Sequence, residues 1–165
     1  MTEERNGGLQ PNGQDTVMVY IDPEVIQSLA DVSAKKQQGF RELLEAAEEG
    51  DAEAQYRVAM DYCNGTGGAQ RDEKLAFHWF TQAAEGEYIA AQYGLGLCYL
   101  RAIGTEKDPE RGARLLTQAA EQGYERAMCS IGWMYEWGLG VKADLAAAVC
   151  WYRAEAADAL NRNCP

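Results

Sequence analysis

Trp133 and Trp137 stand four residues apart, the spacing that puts two side chains on one face of a helix, and Arg126 and Glu136 fall in the same stretch. Trp, Tyr and Arg are the types that anchor interfaces, because a large ring or a planar guanidinium buries area while keeping a polar handle. The chemistry these residues suit is recognition. Residues suited to making and breaking bonds are sparse. The single histidine, His78, lies between Phe77 and Trp79, and without a second one there is no HExxH pair and no imidazole cluster for a metal. Ser28, Ser33 and Ser130 lie in no GxSxG context. The pieces "NGTGG" and "GLG" follow no strand and lack the lysine and hydroxyl of a phosphate-binding loop. Adjacent acids such as Glu48 and Glu49 read as solvated helix charges. The expectation is a non-enzymatic chain with no catalytic residue, no cofactor and no metal site.

Charge narrows the partner further. The 165 residues hold 26 acidic and 15 basic side chains, a net charge of −11. A phosphate backbone or an anionic lipid surface needs clustered Lys and Arg, so neither nucleic acid nor membrane is expected as a partner. The acidic surface keeps the chain soluble and would steer a basic protein partner. The five cysteines, Cys63, Cys98, Cys129, Cys150 and Cys164, form no CxxC and are odd in number. The opening "MTEERNGGLQPNGQDT" has no apolar export segment, so the expected setting is cytoplasmic, with five reduced thiols.

The elements that position these residues are written as a repeat. "AAEEGDAEAQY" (46–56) returns as "AAEGEYIAAQY" (83–93) and as "AAEQGYERAMC" (119–129). Tyr62, Tyr99 and Tyr135 recur in step with Gly67, Gly104 and Gly140 and with Asp72, Asp108 and Asp144. The first unit has one residue more between its Gly and its Asp, where a loop can absorb it. Each unit reads as two helices. The first carries a stripe such as Ala54, Val58, Ala59 and Tyr62, or Ala127, Ile131, Gly132 and Tyr135, with a small residue in mid-helix where a neighbour must come close. The second starts at the recurring Asp, a good N-cap, and in one unit Pro109 follows at the first helical position.

The pattern A-x-A-Q-Y, G-x-x-Y, G-x-G-V-x-x-D, A-x-x-W-Y and A-A-E-x-G, best seen in "IGWMYEWGLGVKADLAAAVCWY" (131–152), resembles the Sel-one-like repeat (SLR) family, relatives of the tetratricopeptide repeats. The resemblance covers about residues 46–157. It implies an all-α protein, a right-handed α/α solenoid of three SLR hairpins at about 51–86, 87–123 and 124–160. It also implies a non-enzymatic adaptor or scaffold, or an antidote that neutralises a toxic protein. A hydrolase with the groove as its substrate cleft is the rival class. Some secreted members carry one disulfide per repeat and a reported β-lactamase activity. Here Cys63, Cys98 and Cys129 stand at different places relative to the marker tyrosines, which does not fit that version.

Solenoid ends need covering. "DPEVIQSLADVSAKK", capped by Asp22 with Pro23 after it, reads as an N-terminal capping helix, and "GFRELLEAAEEG" (39–50) as the second helix of a degenerate unit, eight helices in all. Residues 1–16 read as a disordered tail, "VMVYI" (17–21) as extended chain packed on the cap, within an N-terminal region spanning 17–50, and 161–165 as a C-terminal tail.

First helices line the concave face of such solenoids. Counting by threes and fours from the marker tyrosines puts Tyr56, Met60, Asn64, Tyr93, Leu97, Arg101, Arg126, Trp133, Glu136 and Trp137 on that side. An apolar stripe rimmed by charge suits a protein or peptide partner. Two alternatives stay open: Tyr56, Tyr93 and Leu97 could pack between repeats, and the tryptophans could cap the last unit. A homodimer covering the same face is a further possibility.

Overall fold

The computed structural model describes residues 22–162, with side chains to residue 154. It holds seven helices: α1 (Pro23–Glu48), α2 (Ala52–Asn64), α3 (Glu73–Glu85), α4 (Ile89–Arg101), α5 (Pro109–Glu121), α6 (Glu125–Trp137) and α7 (Leu145–Arg162), with no strand among the described residues. Each helix packs chiefly on its neighbours in the chain, so α2–α3, α4–α5 and α6–α7 form three stacked hairpins.

The recurring residues explain the stacking. Asp72 Oδ1 accepts from the backbone N–H groups of Lys74 and Leu75, Asp108 Oδ1 from Arg111, and Asp144 Oδ1 from Ala146 and Ala147. Each satisfies donors that the first helical turn leaves without partners. The N–H of each of these aspartates in turn donates to the carbonyl of the marker tyrosine, Asp72 to Tyr62, Asp108 to Tyr99 and Asp144 to Tyr135, all at 2.9 Å. The same bond closes every loop, and the first loop accommodates its extra residue within that closure.

The first helices end in left-handed residues: Gly65, Ala102 and Gly138, with φ of 68°, 58° and 66°. Two further glycines seat one hairpin on the preceding one. A Cβ on Gly104 would run into the Glu73 carbonyl, and one on Gly140 into the Pro109 carbonyl.

The core is discontinuous, as expected when each unit buries only what its neighbours cover. Val58 with Ala47 and Ala54 forms one cluster, Phe80 with Ala59, Leu95 and Cys98 a second, and Leu116, Ile131 and Met134 head a third. The mid-helix glycines admit close neighbours: a Cβ on Gly96 would lie 3.1 Å from Leu116 Cγ and 3.2 Å from the Gly112 carbonyl. At Gly132 the neighbour is the Tyr152 ring rather than a backbone.

The N-terminus departs from the expected eight helices. The capping helix and the degenerate one are a single 26-residue helix, α1, capped by Asp22 with Pro23 following. The stretch joining them is built of Ala, Lys and Gln, good helix formers, and its one Gly39 costs about 1 kcal/mol without breaking the ladder. Only the C-terminal part of α1 packs, through Phe40, Leu43, Leu44 and Ala47. Upstream, Val25, Ile26, Leu29 and Val32 are exposed. The expected tail 1–16 and extended segment 17–21 lie outside the described residues. The expected C-terminal tail begins inside α7, which runs to Arg162, and the remainder lies outside them too.

Candidate binding cleft

Helices α4 and α6 are the first helices of two successive hairpins and run side by side with a cleft of about 450 Å³ between them. Leu97, Leu100 and Arg101 line it from α4, and Cys129, Ser130, Trp133 and Met134 from α6. Two loops contribute as well, Lys107 from the loop before α5 and Leu139 from the loop before α7, with Pro109 at the start of α5. Met134 is fully buried and forms part of the floor, whereas Trp133 is 50% exposed and Leu139 38%. An indole half out of solvent beside other apolar side chains leaves hydrophobic area that a further molecule can cover.

Polarity around the cleft is uneven. The Ser130 hydroxyl donates to the Arg126 carbonyl one turn back. Arg101 and Lys107 make no side-chain hydrogen bond or ion pair among the described residues, where the ion pairs are Arg57–Glu53, Arg71–Glu73 and Arg111–Asp108. No acidic residue lines the cleft.

The residues picked out by position counting divide between cleft and packing. Leu97, Arg101 and Trp133 come together in the cleft. Tyr56 packs on Phe80 and Tyr88 with ring centroids 5.9 and 5.3 Å away, and Tyr93 packs on Tyr124 at 5.2 Å. Both serve as joints between hairpins. Burial, and then the neighbouring Tyr124 and Tyr88 phenols, raise the Tyr56 pKa, with Arg126 acting the other way. Arg126 is absent from the cleft lining, and its charge is felt by Tyr56. Glu136 accepts a hydrogen bond from Tyr152 Oη at 3.0 Å and so is tied to α7. Trp137, 63% exposed, ends α6 beyond the lining, and Met60 and Asn64 are exposed on α2, one hairpin away.

Lys107 and Leu139 were missed because counting along helices cannot reach loop residues. The repeated Tyr-to-Asp spacing was the available signal: it fixes each loop as a short return that lies over the end of the next groove.

Elsewhere, no group of three or more potential metal-ligating side chains occurs among the described residues, and no helix there is long and apolar enough to cross a membrane. No disulfide joins Cys63, Cys98, Cys129 or Cys150; Cys164 lies outside the described residues. Cys98 is 1% exposed, and burial, followed by Cys63 and Glu73 nearby, pushes its thiol up to about 12.

Comparison with known proteins places this geometry. The model of the Sel1 repeat matches three times, at residues 52–88, 89–124 and 125–156. The solved structure of c5321, a protective antigen present in uropathogenic Escherichia coli strains and displaying an SLR fold, is 35% identical with a TM-score of 0.69. That match covers 72% of this chain but only 25% of the other, so the chain spans about a quarter of its length. A Sel1 repeat protein from Oxalobacter formigenes is 29% identical over 72% of this chain and 89% of its own, with a TM-score of 0.68. Cysteine rich protein B of Helicobacter pylori has the same fold at 16% identity and a TM-score of 0.58, over 76% of this chain and 89% of its own. No curated protein matches the chain in sequence.

Proposed function

The chain belongs to the Sel1 repeat family, whose members generally serve as protein-interaction modules, and on that premise we propose that it is an adaptor holding a segment of a protein partner in the α4–α6 cleft. The observation that carries this is Trp133, a large ring kept half exposed on the wall of a cleft whose floor is already packed. Interfaces concentrate their binding energy in such anchors, set in pockets that exclude water on contact. The solenoid suits the task because its walls are regular 13-residue helices, each ended by a left-handed residue, so the cleft is present before anything binds.

The test uses peptides selected from a displayed random library against the intact chain. Selected peptides should shift the Trp133 indole N–H resonance. Replacing Trp133 by Ala should weaken them by roughly thirtyfold or more, about 2 kcal/mol, as for interface anchors. Trp137→Ala, which removes an exposed ring outside the lining, should weaken them far less. If selected peptides leave the indole untouched, or bind the Trp133 variant unchanged, the cleft is not the site.

A further inference from the structure

The geometry points to a carboxylate-bearing peptide, an apolar side chain flanked by acidic ones, as the occupant of the α4–α6 cleft; this rests on the cleft being the site proposed above. Across the whole chain acidic residues outnumber basic ones 26 to 15. The cleft inverts that balance, with two cations and no acid on its lining. Both cations lie at the end formed by the last turn of α4 and the loop that follows it, and the apolar side chains of Leu97, Trp133 and Leu139 lie beside them.

The two charges are unspent. Arg101 and Lys107 pair with no carboxylate among the described residues, a condition they share with most of the described cations; what sets them apart is that both lie on one apolar lining. Arg101 gains something from its position, since a cation in the last turn complements the carbonyl end of a helix. That interaction leaves its guanidinium donors open, and the fork of a guanidinium matches a carboxylate with two parallel hydrogen bonds. Lys107 adds a compact second charge. A ligand carboxylate here meets no acidic lining group, while the acidic remainder of the surface disfavours its docking elsewhere. A basic peptide meets two cations and no carboxylate on this lining. Charge complementarity therefore selects among the apolar segments that could cover Trp133.

Two end-blocked peptides of equal length, each with one leucine flanked by aspartates in one and asparagines in the other, test this, with a lysine version as a third arm. Binding is followed by the Trp133 indole resonance of the full chain. The aspartate peptide should bind roughly tenfold tighter than the asparagine one, the scale of a charge-assisted hydrogen bond, and raised salt should shrink the difference. Arg101→Gln with Lys107→Gln should bring the two peptides level. Arg101→Glu with Lys107→Glu should reverse the preference toward the lysine peptide. Both side chains are exposed, so these variants should fold as the parent does, with at most a slightly lower melting temperature from the lost helix-end interaction of Arg101. Equal binding of the aspartate and asparagine peptides at Trp133 would overturn the charge selection and leave the cleft as the site. Tighter binding of the lysine peptide to the parent chain would overturn it likewise. No shift of the indole by any of the three would overturn the charge selection and the cleft together.

Discussion

Replacing Ala102 by Gly should make this protein more stable. Ala102 ends α4 with φ 58° and ψ 39°, the left-handed conformation that Gly65 and Gly138 adopt at the same place in the other two units. A Cβ in that region crowds the following carbonyl and costs roughly 1–2 kcal/mol. The Ala102 methyl is exposed, so removing it forfeits little buried area. Glycine gives back roughly 0.4–1 kcal/mol through the greater freedom of its unfolded chain. The net gain is then about 0.5–1 kcal/mol, which for a chain of this size raises the melting temperature by roughly 1–4 °C. The reverse changes supply the control. A Cβ on Gly65 would lie 3.4 Å from Arg71 Cβ, and one on Gly138 would lie 3.3 Å from Ala143 Cβ, so Ala at either site strains the backbone without a severe clash. Each should lose about 1 kcal/mol. Thermal melts and urea titrations followed at the helical circular dichroism band measure all three. A lower melting temperature for Ala102→Gly, or shifts of one sign for all three, would refute the strain argument.

Gly140→Ala should lose roughly 2–3 kcal/mol, since it adds a clash with the Pro109 carbonyl to the cost of its φ of 69°. Gly123→Ala, at φ 85° with nothing within 4 Å, should show only the backbone cost, and equal urea midpoints for the two would deny the seat any role. Above pH 9 stability should fall as pH rises. The unfolded Cys98 thiol ionises near 9.0 while the folded one holds its proton to about 12, so the native state binds the extra proton across that window. Cys98 should contribute at most about 1.4 kcal/mol per pH unit to this slope, Tyr56 adds to it at higher pH because burial raises its pKa as well, and Cys98→Ala should remove the Cys98 share. In native-state thiol labelling, exposed Cys150 should react early and buried Cys98 only on unfolding; early labelling of Cys98 would show that its burial is not maintained.

Repeat periodicity made the hairpins legible because each marker has one physical task. The aspartates cap, the tyrosine carbonyls close the loops, and the glycines either turn the chain or seat it. The joining of two expected helices into α1 was not legible. A lone glycine in a run of good helix formers is a cost to weigh, not a stop, and nothing in the residues alone shows that no tertiary contact tips the balance. In the cleft, helical spacing found Leu97, Arg101 and Trp133, which sit on regular elements. It also assigned Tyr56 and Tyr93 to the same side, and their rings pack in the joints between hairpins. Spacing fixes the direction of a Cβ and leaves the ring free to pack either way.

The two walls of the cleft belong to different hairpins, α4 to one and α6 to the next, and hairpins touch chiefly their immediate neighbours. Cleft width and superhelix curvature are therefore one elastic coordinate. Tightening the coil narrows the gap around Trp133, and straightening it opens the gap. An occupant bridging α4 and α6 acts as a clamp across a single joint and raises the bending stiffness there. Conversely, a bend of the superhelix at this joint would alter the spacing of the two walls and, with it, the fit of whatever bridges them.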